Sequence, residues 1–242
     1  MLEFAPRRHH RVLASDIVPP GWALHGGGRS RKELMSTSLG AGGLMLAGHH
    51  HAEALDHVRR FCGLSWSGGP PEVWAFRYYD QIRTDPDRMD PIDVLAAASI
   101  HPGLSRDDLA WFDTNRPVLD DWLAGVGVDV QLTDANEAVR ESLLALAGFD
   151  GVTLTLLSKV LHRKRPHLVP LVDRHVVDRY RPVTGERRPL EAWPGLIEAL
   201  AIDLERNAEP LAAIRSVLRD ELEVDVSALR VCDIAIWMEA RS

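Results

Sequence analysis

Apolar residues recur at helical spacing along most of this chain. Leu55, Val58 and Phe61, spaced i, i+3, i+6, predict a helix over 49–62. Residues 72–83 carry Val73, Trp74, Phe76 and Tyr79 and predict a second, after a turn or linker at Ser65 to Pro71. Asp90-Pro91 sets a proline at the first position of a helix through Ile92 to Ile100, which His101-Pro102-Gly103 stops. Ser105 with Asp108 is a capping pair ahead of Leu109 and Phe112, and 117–124 continue helical after Pro117. Asp134 with Glu137 opens a helix running to Ala147, and 152–162 form another with Leu154, Leu157 and Leu161 on one stripe. Pro166 and Pro170 exclude helix over 166–172. Asp173 precedes an amphipathic run with Val176, Val177 and Tyr180. Helices over 190–206 and 208–222 follow, and Ser227 caps a last one that carries Trp237. No alternating strand and no internal repeat stands out. The pattern predicts an all-α fold of nine or ten helices in a single domain over 41–242. Residues 1–40, with their Arg, His, Pro and Gly26-Gly27-Gly28, read as a partly irregular N-terminal arm.

Composition narrows the classes. The 242 residues are 45% apolar and 26% charged, which excludes wholesale disorder and fibrous structure. No apolar run reaches the ~20 residues of a membrane span, so the expected setting is cytoplasmic with no membrane partner. Two cysteines, Cys62 and Cys232, cannot build a disulfide scaffold or a four-cysteine metal site. The net charge of −7 argues against a general nucleic-acid coat, but its distribution is uneven. Residues 1–40 carry +3, 41–157 carry −10, 158–189 carry +6 and 190–242 carry −6. A short basic island in an acidic chain is either a local anion site or a loop whose arginines pair with nearby acids.

Chemistry concentrates in Leu143 to Tyr180. A helix ends near Gly148 and the next begins near Gly151, a tight helix–hairpin–helix arrangement whose small residues allow left-handed angles and close approach by a partner. The second helix would offer its free N–H groups to an anion, with Lys159, Arg163, Lys164 and Arg165 following.

Leu146-Ala-Gly-Phe-Asp-Gly-Val-Thr153 resembles the hairpin of the helix–hairpin–helix DNA glycosylase superfamily, the relatives of endonuclease III and of the adenine glycosylase of mismatch repair. Val169-Pro-Leu-Val-Asp173-Arg-His-Val-Val177 resembles that superfamily's extended segment, catalytic aspartate and following helix. The likeness spans 146–177; more loosely, the Ser-Lys-x-Leu, Arg-Lys-Arg-Pro and Pro-x-x-Asp run resembles an uncharacterised actinobacterial family. The chain departs from the superfamily pattern at Ala147, where proline is usual, and at Asp150, where glycine is usual. Val152 stands where the bifunctional members carry their lysine, so the resemblance implies a monofunctional enzyme without lyase activity. The iron–sulfur cysteines are absent, and no cofactor or metal is expected.

The resemblance implies a glycosylase-like helical domain with its hairpin within 134–163 and double-stranded DNA as partner. No obligate protein partner is evident. Asp173 is the expected catalytic group: a carboxylate stabilises the positive charge that develops on the sugar as an N-glycosidic bond breaks. An aspartate before a helix is also a common N-cap, and the two roles are compatible. Gly148, Asp150, Gly151 and Thr153 would hold a DNA phosphate, and Lys159, Arg163, Lys164, Arg165, Arg174 and His175 would contact DNA. A flipped base needs flat walls, for which Trp74, Tyr78 and Tyr79 are the candidates. His49-His50-His51 with His57 reads as a surface cluster, because consecutive helical histidines diverge. The excised base would be damaged or modified, in repair or in defence against phage DNA with modified cytosine. The competing readings are a non-catalytic helix–hairpin–helix nucleic-acid-binding module and a helical scaffold for an acidic protein partner.

Overall fold

The structure, a computed structural model, describes residues 43–63, 75–101 and 103–241. The expected arm over 1–40, the linker at 65–71 and Trp74 lie outside the described residues. Those described are mostly helical, with one small sheet. Strands β1 (Leu44–Leu46) and β2 (His49–His51) pair antiparallel, Leu44 opposite His51. They correct the expectation of helix from residue 49 and of no strand at all. Ala47 and Gly48 join them, both at positive φ (50° and 77°), the two-residue turn that suits a twisted hairpin.

Nine α-helices follow among the described residues: α1 (Ala54–Cys62), α2 (Pro91–Ala97), α3 (Arg106–Gly125), α4 (Glu137–Ala145), α5 (Leu154–Lys164), α6 (Arg174–Thr184), α7 (Pro189–Arg206), α8 (Ala208–Leu222) and α9 (Ala228–Glu239). A π-helical turn over Phe76–Asp80 lies between α1 and α2, and a 3-10 turn, Leu146–Gly148, extends α4. No described helix is long and apolar enough to cross a membrane.

Capping residues set most boundaries. Asp90 and Asp93 form a reciprocal capping box on α2, as Ser105 and Asp108 do on α3. Helix α3 runs unbroken through Pro117. Asn136, not Asp134, caps α4, because its side chain accepts the Val139 N–H. Thr153, Asp173 and Ser227 cap α5, α6 and α9.

Two helices are buried almost all round, α5 and α9. Helix α9 packs against α1, α6 and α8, and α5 packs against α2 and α7. A polar knot ties the sheet to this core. Asp203 on α7 accepts from Ala47 N–H (2.7 Å) and the Tyr180 hydroxyl (2.9 Å), and Asn207 bonds both N–H and C=O of Met45 (2.7 and 2.8 Å).

Candidate functional site

The hairpin between α4 and α5 forms an exposed turn that brings Gly148, Asp150, Gly151 and Thr153 together. Only Gly151 uses the left-handed backbone region there (φ 84°). Gly148 does not, so its lack of a side chain is not demanded by conformation. A Cβ at 151 would meet the Trp111 ring at 2.9 Å, and the Trp111 indole donates to the Asp150 carbonyl (2.6 Å). Trp111 also stands edge-on to Phe149, with centroids 5.6 Å apart. This bracing of the turn by α3 was invisible in the sequence, where Trp111 was one aromatic among several. The backbone N–H groups of Asp150 and Gly151 donate to no described residue.

Asp173 closes the short extended segment after α5. Its Oδ1 accepts the N–H groups of His175 (2.9 Å) and Val176 (3.1 Å). It is also half-buried and lines a cavity of about 130 Å³ with Lys159, Asp233, Arg230, Phe61 and Trp237. The three groups that can exchange a proton there come from three elements: Lys159 from α5, Asp173 from the start of α6 and Asp233 from α9. Phe61 and Trp237 stand edge to face, centroids 5.9 Å apart. Sequence reading had placed Lys159 on DNA; the structure buries it to 5% exposure in this cavity, where its Nζ donates to the Ile100 carbonyl (2.9 Å).

Arg230 and Asp233 escaped the sequence analysis. Their signal was there: two charges spaced i, i+3 inside the otherwise apolar run Leu229 to Met238. Arg230 grips both oxygens of Asp80 (2.8 Å each), pairs with Asp233 and lies between the rings of Phe61 and Tyr79, 5.0 Å from each. The cluster thus holds two cations, Lys159 and Arg230, against three carboxylates, Asp80, Asp173 and Asp233. Burial pushes the Asp233 carboxyl up to about 7; the Arg230 cation opposes this, and the Asp173 charge adds to it.

That shift has a signed consequence. A carboxyl whose pKa is raised on folding contributes stability below its unfolded value of 3.8 and loses it as pH rises through about 7. Wild type is therefore expected to lose stability relative to Asp233→Asn between pH 5 and pH 8, measured by urea unfolding at each pH. A constant difference across that range would show that Asp233 is ionised throughout.

The basic run is not a phosphate-binding surface. The side chains of Arg163, Lys164 and Arg165 are 4%, 1% and 0% exposed. Arg163 bonds the carbonyls of Tyr79 and Ile82 (2.8 Å to Ile82) and the Asp93 carboxylate. Lys164 pairs with Asp93 and donates to Thr84 Oγ1 (2.9 Å) and the Asp85 carbonyl (2.7 Å). Arg165 spans the carbonyls of Leu123, Val126, Pro86 and Lys164 and reaches Asp87 (3.0 Å). Desolvated cations need partners. These take theirs from the 79–87 segment, α2 and the end of α3, so the expected DNA contacts at the three positions are replaced by internal ones.

Arg174 is exposed and His175 half-buried beside Asp173. Tyr78 is 51% exposed, whereas Tyr79 is 1% exposed and donates its hydroxyl to the Lys159 carbonyl (2.6 Å). Tyr79 therefore pins α5 from beneath and does not line the Asp173 cavity. The histidines do not form a surface cluster. His49 and His50 are exposed, but His51 and His57 are buried, and His51 Nδ1 lies 2.7 Å from Glu239. Burial lowers the His51 pKa to about 4, against the pull of the Glu239 charge. No group of metal-binding side chains occurs among the described residues.

A larger, open groove of about 590 Å³ lies between the 79–86 segment and the 223–227 loop and touches the other side of Arg230. Its charged walls are largely committed: Asp80 to Arg230, Arg163 and Lys164 to Asp93, Asp225 to Arg215. The smaller cavity, where a lysine and two aspartates converge on apolar walls, has the features of a reaction site.

The described residues are thus mostly helical and enclose a pocket that holds two carboxyl groups and an amine. The chain belongs to a family of unknown function (DUF6308), which matches residues 54–240 and so takes in every residue that lines the pocket except Arg241. No curated protein matches it. No solved structure matches it.

Proposed function

We propose that this protein is a DNA N-glycosylase that takes a flipped base from duplex DNA and hydrolyses its bond to the sugar, leaving an abasic site. The observation that carries the reading is Asp173 at the start of α6, which lines one small cavity together with Lys159 and a second carboxyl, Asp233. Such a carboxylate stabilises an oxocarbenium-like sugar and orients the attacking water. Asp233, which keeps its proton up to about pH 7, is suited to hand it to the departing base. Phe61 and Trp237, edge to face with each other and each with an arginine over its ring, supply the aromatic part of the cavity's lining. The exposed turn at 148–153, with Arg174 and His175, supplies a contact to the DNA backbone. A glycosylase-like arrangement of the helices around the hairpin belongs to the same proposal. The substrate is a damaged base in repair, or a modified cytosine in phage DNA.

The second reading is a non-catalytic binding module, in which Asp173 does no more than cap α6 through the two bonds that it makes there.

The test is incubation with normal, uracil-, alkyl- and oxidised-base duplexes and with phage genomes carrying hydroxymethylated or glucosylated cytosine. Alkali then converts abasic sites to strand breaks. Breaks are expected with one substrate class and not with normal duplex. Clean duplex binding without abasic sites on any substrate would leave the binding module.

A further inference from the structure

The cavity that holds Asp173 also holds a nucleophile. We propose that Lys159 attacks the aldehyde carbon of an abasic sugar and forms an imine with it, so that the protein cleaves the strand after the base has left. The substrate in this proposal follows from the glycosylase reading, but its test does not depend on excision.

The first argument is chemical identity. Of the 28 basic side chains, 25 are arginine; the lysines are Lys32, Lys159 and Lys164. Arginine cannot give up its proton, whereas a buried lysine does so readily. Lys164 is held in an ion pair with Asp93. Lys159 makes no ion pair within 4 Å among the described residues; the one described hydrogen bond of its Nζ is to the Ile100 carbonyl. Burial lowers its pKa, only partly offset by the charges of Asp173 and Asp233. Burial thus makes the neutral amine, with its lone pair for a carbonyl carbon, easier to reach than in a solvated lysine.

The second argument is position. Lys159 and Asp173 line the same small cavity. Hydrolysis at the sugar's anomeric carbon generates a hemiacetal that opens to an aldehyde at that same carbon. The amine therefore lies where the electrophile appears. The resemblance located a lysine for such chemistry only at the position of Val152, on the exposed turn. Lys159 is seven residues farther on, in the second turn of α5 and inside the fold.

The steps balance without an outside reagent. The neutral amine adds to the aldehyde carbon, and the carbonyl pair moves to oxygen, which takes the amine's proton. The carbinolamine expels water, with Asp233 or solvent supplying a proton, and leaves a protonated imine. A carboxylate then removes a proton from the neighbouring sugar carbon, and the freed pair drives out the 3′ phosphate. Water finally hydrolyses the imine and returns the amine.

The experiment uses the full chain and a duplex carrying one preformed abasic site, with sodium cyanoborohydride present. Hydride delivered to the imine carbon converts it to a secondary amine that links protein to DNA permanently. A covalent adduct is expected, with peptide mass spectrometry placing it on Lys159. Lys159→Ala should reduce it to background, while Lys32→Arg should leave it unchanged. Mapping the wild-type adduct needs no variant, so a misfolded Lys159→Ala does not spoil the test. An adduct on Lys32 or the N-terminal amine, or none at all, overturns the proposal. If excision is seen in the base panel but no adduct forms, Lys159 is excluded and the glycosylase stands. An adduct on Lys159 without excision of any base would support the lysine and remove the glycosylase.

Discussion

Replacing Asp173 by asparagine is expected to lower the proposed base excision by about 10²–10⁴-fold while leaving the proposed DNA binding, and thermal stability, close to wild type. The expectation follows from what the side chain does. Its Oδ1 accepts two N–H groups at the start of α6, and an asparagine carbonyl oxygen accepts them equally well. The cap is therefore kept and the fold undisturbed. What disappears is the negative charge facing the cavity, which a developing sugar cation needs and a cap does not. Excision is read as alkali-labile breaks under single-turnover conditions, binding as fluorescence anisotropy on the same duplex. Full activity in Asp173→Asn would reduce the residue to a helix cap and move catalysis elsewhere in the cavity.

The second large effect is on stability. Asp93→Ala is expected to cost about 3–5 kcal/mol, a large share of the ~5–15 kcal/mol that holds a typical domain together. Asp93 is fully buried, and its two oxygens serve four groups. Oδ1 accepts from the Thr84 hydroxyl (2.6 Å) and the Arg163 guanidinium (3.3 Å); Oδ2 takes the Lys164 ammonium and the Asp90 N–H (3.0 Å). Removing it strands two buried cations whose other contacts are neutral carbonyls and a hydroxyl. The exposed pair Arg188–Glu191 is the comparison: Glu191→Ala should shift stability by less than ~1 kcal/mol. Urea unfolding of the three proteins checks both figures. A change below ~1 kcal/mol in Asp93→Ala would mean that water reaches the cluster and that the basic run is freer than its burial indicates.

These two residues mark the line between what the chain declares and what it conceals. Helix ends were legible because their chemistry is local. Ser105 with Asp108, Asp90 before Pro91, Asp173 before Arg174 and Ser227 before Ala228 act on N–H groups within three residues, so proximity in sequence is proximity in space. The β1–β2 hairpin escaped because its strands are three residues long and its anchors, Asp203 and Asn207, lie about 160 residues away.

The basic run left two readings open for the same reason, an anion site or cations paired with acids, and the structure pairs Arg163, Lys164 and Arg165 with acids. Arg163-Lys164-Arg165 looks like any solvated helix end until Asp93, some 70 residues earlier, and the carbonyls of 79–87 are brought around it. The candidate site divides along that line too. Asp173 was legible through its place before an apolar helix. Asp233 and Arg230 were visible only as two charges in an apolar run, and nothing local says whether such charges face water or each other.

The chain alone therefore determines the helical class, most of the caps and the breaks at Pro166 and Pro170, because each depends on backbone groups a few residues apart. Only the tertiary structure decides which charges are buried, which partners neutralise them and which three elements close a cavity around Asp173. The physical reason is desolvation. Whether a Lys, Arg or Asp keeps its charge, and so what chemistry it can do, depends on the water removed by distant parts of the chain, and that is settled only when they meet.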